Sequence, residues 1–379
     1  MPNKRNKTAM SEKKVAIVCD WLIGTGGAER VVLELHKLFP NAPIYTSQYN
    51  SNPSIWHGDD WFKNAEVRTG WLQHFPMSLR KFLPPLRAIW FSQLDLSEFD
   101  LVISSSGAEA KFIRTTPNTI HVAYIHAPTH YYWSRYDQYL KEPGFGSFDW
   151  LARFGLKLLI GPMRKRDYKA AQYPNYLLAN STHTASEIKK YYGRDSKVIH
   201  PPVETDLFSE FSAQPKNRYG FVITGRQTPY KRIDLAVSAC TMLEAPLSVI
   251  GVGPEHKRLK RLAGPTISFI EDATDKEVAE YVGTSTAFIF PSVDDFGISA
   301  VEALEAGTPV VAYSEGGALD YIEEGKNGRF FKYQTVKALT SALYGIEKEK
   351  YSPDGIKRSA KKFSSEHFRK KIQQFISSL

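Results

Sequence analysis

Two cysteines, Cys19 and Cys240, are all that the 379 residues hold. So sparse a pair builds neither a disulfide framework nor a thiolate metal site, and a reducing compartment is expected. Long apolar runs are missing too. Nowhere do about 18 to 20 apolar residues follow one another, which argues against a conventional membrane span but leaves peripheral attachment open. The opening MPNKRNKTAM runs into the short VAIVC without the apolar core or small-residue cleavage site of a secretory signal, and reads as a basic tail. There is no HExxH helix, no positioned serine nucleophile and no cysteine–histidine pair, so hydrolase chemistry has little support.

Acidic residues are in deficit: 40 Asp and Glu face 49 Lys and Arg, a formal charge of +9. Part of the excess sits in residues 1–14, where Lys4, Arg5, Lys7, Lys13 and Lys14 oppose Glu12 alone. An anionic membrane surface and phosphate-bearing substrates fit this distribution. A compact DNA-binding module does not, and no coherent phosphate-contacting stripe is legible, so no nucleic-acid partner is expected. With 42% hydrophobic and 23% charged residues, the chain is neither disordered nor fibrous, and its length allows two domains.

What is present is alternation. VAIVC at residues 15–19 reads as a buried strand, followed by a glycine-rich turn and a helix whose apolar positions recur from Val31 to Leu38. LVISSSG (101–107), IHVAYIH (120–126) and YLLANS (176–181) are further strand candidates. After Pro201–Pro202 and the polar FSEFSAQPKNR the pattern restarts: GFVITG, PLSVIGVG, TISFI, STAFIFP and TPVVAYS read as strands with helices between them. Strands alternating with helices predict α/β domains with parallel sheets covered on both faces. A linker is expected near residues 204–216, with a similar domain on each side, and the segment from Pro353 onward reads as an amphipathic helix.

Three constellations bear on chemistry. PSVDDFGISAVEALEAGTPVVAYSEGG (291–317) closes a strand and opens a helix near Ser299. Ser299 and Glu302 have the spacing of a capping box. Alternatively, Asp294 and Glu302 flank a ligand at the carboxyl end of a parallel sheet, where open α/β folds bind ligands. Gly297 permits close approach, and a helix start presents unpaired N–H groups to an anion. Asp294, Asp295 and Glu302 lack the histidine or regular oxygen-ligand loop of a metal site, so no metal is expected.

GRQTPYKRIDLAV places Arg226 and Lys231 beyond a strand and near a helix start. Cations there oppose the helix dipole, a conflict that a bound phosphate would resolve; a solvated Arg226 and a salt-bridged Lys231 are the alternative. GTGGAE near the start, with Gly24, Gly26 and Gly27, can cradle phosphate or serve tight strand–helix packing. It is neither a Walker A sequence nor a complete dinucleotide fingerprint. AYIHAPTHYYW puts His126 at a strand end beside Tyr131, Tyr132 and Trp133, which form either a sugar- or lipid-facing wall or ordinary packing. Two more segments, 71–91 and 150–169, combine apolar residues at helical spacing (Trp71, Phe75, Leu79, Phe82; Leu151, Phe154, Leu158) with Lys and Arg. Such segments lie in a membrane interface or on an ordinary basic helix face, and prolines 76, 84, 85 and 162 are expected to break any long continuous helix.

Taken together, GTGGAER, YIHAPTHYYW, LLANSTHTASEI, VIHPPVETDLF, TGRQTPYKRIDLAV, DDFGISAVEALEAGTPVVAYSEGGALDYI and GKNGRFF resemble, in this order, retaining glycosyltransferases of sequence family 4, near bacterial cell-surface polysaccharide mannosyltransferases. The resemblance implies an α/β fold of two Rossmann-like domains facing across a cleft, the glycosyltransferase B architecture. Residues 15–205 would form an acceptor domain, 216–352 a nucleotide-sugar domain, and 353–379 a helix returning to the first domain. It also implies site roles. Arg226 and Lys231 would neutralise the leaving diphosphate. Glu302 would bind the nucleotide ribose, and Phe296, Gly297, Ile298 and Ser299 would approach the donor through their backbone. Gly26 and Gly27 would lie near the donor phosphates and His126 near the transferred sugar. Asp294 stands where the family usually has Glu. The expected donor is GDP-mannose, with UDP-glucose and UDP-galactose as alternatives, and the expected acceptor a saccharide carried on a lipid. The expected location is cytoplasmic, peripheral to the inner membrane. A nonenzymatic carbohydrate-binding or membrane-organising protein is the competing class.

Overall fold

The computed structural model describes residues 13–56, 61–143, 146, 149–204 and 206–379. Most of the basic segment 1–14 therefore lies outside the described residues, as does residue 205. The chain divides into two compact units. One takes the described residues up to His200 together with Arg369–Leu379, and the other takes Pro201–Phe368.

The first unit is built on a seven-stranded sheet: β1 (Val15–Cys19), β2 (Ile44–Thr46), β3 (Val67–Arg68), β4 (Leu101–Ser106), β5 (Ile120–Ile125), β6 (Tyr176–Ala179) and β7 (Lys197–Val198). The spatial order is β3-β2-β1-β4-β5-β6-β7 and every pairing is parallel. All five residues of β1 are buried, as expected of a strand covered on both faces.

The second unit has six strands: β8 (Phe221–Thr224), β9 (Leu247–Ile250), β10 (Ile267–Ile270), β11 (Ala287–Phe290), β12 (Val310–Tyr313) and β13 (Gly328–Phe331). Their order is β10-β9-β8-β11-β12-β13, again all parallel. Alternate side chains feed two separate cores. Phe288, Phe290, Val310 and Ala312 pack on one face with Val301 and Leu304, while Ala287, Ile289 and Val311 pack on the other with Val237 and Leu343. The two-residue period of a strand thus divides one apolar run between two layers of helices. Both sheets grow in one direction from their first strand and then in the other, the Rossmann-like order.

Three segments differ from their sequence reading. The polar stretch expected as a linker folds into the second unit: Asp206–Glu210 is helical and Phe208 is buried in that unit's core. Asp149–Ala170 is one α-helix that runs through Pro162, where the sequence predicts a break, whereas residues 71–91 are divided as their prolines predict. Trp71–His74 and Met77–Phe82 are 3-10 turns, and an α-helix begins only at Pro84, because prolines 76 and 84 interrupt the backbone ladder. The carboxyl-terminal segment is two α-helices, Pro353–Ala360 and Ser365–Ile376, joined by a turn. Within the first unit, Arg369 pairs with the buried Glu34, and Phe375 packs edge-on against Tyr176 at 5.7 Å.

Candidate functional site

The order β9-β8-β11 creates a switch point in the second sheet, since the chain leaves β8 toward one side and β11 toward the other. The segments after these two strands carry four of the expected site residues: Arg226 and Lys231 follow β8, and Asp294, on the loop, and Glu302, in the helix beyond it, follow β11.

Lys231 and Asp294 meet directly. The ammonium Nζ lies 2.5 Å from Asp294 Oδ2, with both side chains largely shielded, at 22% and 10% exposure. The Lys231 charge near the start of the Ile233–Met242 helix is therefore opposed by a carboxylate. Asp294 is held in turn by its backbone, whose carbonyl accepts a hydrogen bond from Gly317 N–H at 2.8 Å. A Cβ on Gly316 would come within 2.7 Å of the Asp294 carbonyl oxygen, and Gly316 has φ +79, so glycine is required there. Lys231 also borders a crevice of about 10 Å³ with Thr224, Phe290, Pro291 and Ser292, room for roughly one water.

Arg226 is exposed, and among the described residues its guanidinium makes no ion pair. The residue after Lys231, Arg232, has left-handed backbone (φ 51, ψ 34) at the helix N-cap and is bound to Asp234 Oδ1 at 3.2 Å. Of the adjacent cations Lys231 and Arg232, only Lys231 reaches Asp294.

The capping-box reading of Ser299 and Glu302 does not hold. The helix is Ile298–Glu305 and its N-cap is Gly297, with no side-chain cap. Gly297 has φ +91, and a Cβ would stand 2.4 Å from Phe290 Cζ and 2.7 Å from the Tyr321 hydroxyl. A residue at Ser299 already has helical position and cannot act as N-cap. Glu302 is half-buried one turn into the helix. Phe296 is buried, its ring 5.4 Å from Tyr321 and 5.6 Å from Phe363, and its carbonyl accepts the Tyr321 hydroxyl at 2.9 Å. Its side chain belongs to the core. Ile298 packs against the same cluster.

In the first unit the switch point lies between β1 and β4. Asp20, immediately after β1, ties the two loops together: its carboxylate accepts the N–H groups of Gly107, Ala108 and Ala110 at 2.7, 2.9 and 2.6 Å. None of Gly24, Gly26 and Gly27 has positive φ. These glycines are not demanded by a left-handed turn; what they leave is room. Beside them lies the buried Glu29, whose Oε2 would be 2.5 Å from a Cβ on Gly26. Burial, with Asp20 adding to it, pushes the Glu29 carboxyl up to about 7, against the opposing pull of its own backbone N–H and of Arg80.

His126 follows β5 and its Nε2 is hydrogen-bonded to Ser105 Oγ of β4 at 2.7 Å. Its carbonyl accepts Asn180 Nδ2 at 2.8 Å. The aromatic residues after it are not an open wall. Tyr131 donates to the buried Glu109, and Tyr132 is buried. Trp133 donates Nε1–H to Asp167 Oδ2 at 2.7 Å and stacks on Tyr191. Asp167, fully buried, also pairs with Lys111 at 2.8 Å and accepts from Tyr192 and Thr129. A buried pair this fully hydrogen-bonded fixes the loop after His126, because removing one partner strands the other charge.

Sequence reading missed Asp20, Ser105, Glu29 and Asp167. The first two had a signal: a carboxylate directly after the apolar strand VAIVC, and hydroxyls inside the strand LVISSSG. Both are polar groups placed where only a partnered group survives burial.

Comparison with known proteins bears on the fold that carries these residues. Residues 204–363 match the family described as glycosyl transferases group 1. A D-inositol 3-phosphate glycosyltransferase of Streptomyces bingchenggensis (strain BCW-1) is 29% identical over 185 residues, 40% of this chain and 40% of that protein. A GDP-mannose-dependent alpha-(1-6)-phosphatidylinositol monomannoside mannosyltransferase of Mycolicibacterium smegmatis is 27% identical over 43% of this chain and 50% of that protein. The matched region thus spans about half or less of the curated relatives' length. Among solved structures, Anabaena Alr3699/HepE in complex with UDP and glucose superposes with a TM-score of 0.66, at 18% identity, over 97% of this chain and 100% of that one. Residues 204–363 are thus similar to group 1 glycosyltransferases, and the chain as a whole has the two-Rossmann-domain α/β fold of the glycosyltransferase B architecture.

Proposed function

We propose that this protein is a retaining glycosyltransferase that moves a hexose from a nucleotide sugar to a saccharide acceptor. The observation that carries the reading is the meeting of Lys231 and Asp294 at the β8–β11 switch point, with Arg226 exposed on the same loop as Lys231. An ammonium and a guanidinium at the carboxyl edge of a parallel sheet suit a diphosphate leaving group.

In the reaction, the bond between the hexose C1 and the diphosphate oxygen breaks, and the bonding pair departs with the nucleoside diphosphate. Arg226 and Lys231 stabilise the charge that develops there. The acceptor hydroxyl attacks C1 from the face the diphosphate leaves, and its proton passes to a diphosphate oxygen, so the anomeric configuration is retained. Glu302 holds the nucleotide ribose, and Asp294 sets the position of Lys231. His126 is assigned to the hexose, and Gly26 and Gly27 to the donor phosphates, on the strength of the motif resemblance. The chain's own side chains supply the positive charge, and the reading requires no metal.

A UDP-hexose, glucose or galactose, is better supported as donor than the GDP-mannose expected from sequence. The solved structure that holds UDP and glucose is similar over 97% of this chain, whereas the mannosyltransferase is similar over 43%. The acceptor proposed is a saccharide on a lipid carrier, met at the cytoplasmic face of a membrane. No helix among the described residues is long and apolar enough to cross one.

A donor screen tests this reading. The purified protein is incubated with UDP-glucose, UDP-galactose or GDP-mannose and a lipid extract or defined saccharides, and products are weighed by mass spectrometry. Donor-dependent gain of one hexose on the acceptor supports it. Donor hydrolysis without any acceptor-linked product contradicts it.

A further inference from the structure

The helix Asp149–Ala170 in the first unit has a surface that the fold does not use. Only Asp167 and Ala170 of its 22 residues are buried. Trp150, Leu151, Phe154 and Leu158 are 66%, 51%, 63% and 66% exposed. At about 100° per residue, these four fall within an arc of roughly 100° on the helix. Helices of water-soluble domains normally turn such a stripe toward a core. Here it faces outward, larger and more continuous than the scattered apolar residues of an ordinary surface.

The charge of the same helix selects an occupant. Arg153, Lys157, Lys165, Arg166 and Lys169 are exposed, whereas its acids are Asp149 and the buried, Lys111-paired Asp167. Lys165 and Lys169 continue the apolar arc beyond Pro162, so one stripe runs from aromatic to basic. Apolar side chains that enter the boundary of acyl chains and headgroups, beside cations that meet anionic headgroups, are the requirements of an interfacial helix.

We propose that the exposed face of Asp149–Ala170 docks the protein on an anionic lipid bilayer. Trp150, Leu151, Phe154 and Leu158 enter the interface, and Lys165, Arg166 and Lys169 contact the headgroups. The foot of the helix is rigid: Asp167 holds Lys111, Trp133, Thr129 and Tyr192, and Arg164 donates to the Tyr132 carbonyl at 2.6 Å. Docking through this helix therefore bears on the loop that follows His126. The inference goes beyond sugar transfer, since lipid binding is measured without donor or acceptor and stands or falls separately from the donor screen.

The full chain and two double variants, Leu151→Glu with Phe154→Glu and Lys165→Glu with Arg166→Glu, are sedimented with vesicles of phosphatidylcholine alone or mixed with phosphatidylglycerol. Circular dichroism and thermal unfolding establish that each variant is folded, which is expected because all four side chains are exposed. The proposal predicts preferential binding of the unaltered chain to the anionic vesicles, weakened about 10-fold or more by either pair. Equal binding to both vesicle types, or binding by both variants that matches the unaltered chain, overturns it. So does a chain that is dimeric in solution, ignores vesicles and becomes monomeric on the Leu151 and Phe154 changes, for the face then joins two copies.

Discussion

Lys231 and Asp294 form an ion pair across the strand-order reversal of the second sheet, Nζ to Oδ2 at 2.5 Å. The pair explains how a lysine beside a helix start is kept in place without ligand, and it sets up a competition. An incoming diphosphate must share Lys231 with Asp294. Asp294→Asn removes the competitor and loosens the lysine. It is expected to tighten binding of free UDP by roughly 3- to 10-fold and to lower kcat for transfer by about 10-fold or more. Calorimetric titration of UDP beside steady-state rates checks this. Weaker UDP binding in the variant would show that Asp294 does not oppose the diphosphate.

Arg226 separates catalysis from stability. Its side chain is exposed, so Arg226→Ala should change unfolding free energy by no more than about 0.5 kcal/mol. Loss of a charge that stabilises the departing diphosphate is expected to lower kcat/KM by about 100-fold or more. Denaturant unfolding and initial rates are the two measurements. Unchanged turnover would remove Arg226 from the mechanism.

Glu29 carries a pH signature. Its carboxyl lies at about 7 in the folded chain, above the ordinary 4.5, because it is buried. The folded state binds this proton more tightly than the unfolded one, so stability falls as pH rises from 4.5 to 7 and stays lower above that. Glu29→Gln removes the ionisation. The variant should match the unaltered protein near pH 4.5 and exceed it by about 2 to 3 kcal/mol at pH 8. Urea unfolding at both pH values measures the difference, and a stability gap independent of pH would contradict the assignment.

Gly297 is a steric requirement. A methyl there would meet Phe290 and the Tyr321 hydroxyl, on a backbone with φ +91. Gly297→Ala should destabilise the protein by about 2 to 4 kcal/mol, read as a lower unfolding midpoint. Wild-type stability would mean that the loop after β11 yields more readily than its packing indicates.

Much of this was legible in the chain before its fold. The strands VAIVC, IHVAYI, FVIT and AFIF are apolar runs bounded by turn residues, and periodicity finds them. The short strands Ile44–Thr46, Val67–Arg68 and Lys197–Val198 are not found this way, because two or three residues carry no period and gain strand geometry only from their neighbours. Sequence spacing suggested a Ser299–Glu302 cap, but the left-handed Gly297 starts the helix earlier. A genuine capping box sits at Thr274 and Glu277. The cations and acids of the second unit announced themselves through their motifs. Which of them pair did not, since Lys231 and Asp294 are 63 residues apart and only the sheet order brings them together.

The most direct test of hexose transfer with retention is the anomeric configuration of the product, read by proton NMR after reaction with an α-linked UDP-hexose. The account predicts a single α-linked hexose on the saccharide acceptor, lost or strongly reduced in Arg226→Ala. A β-linked product, or free hexose and UDP with an unmodified acceptor, would contradict it.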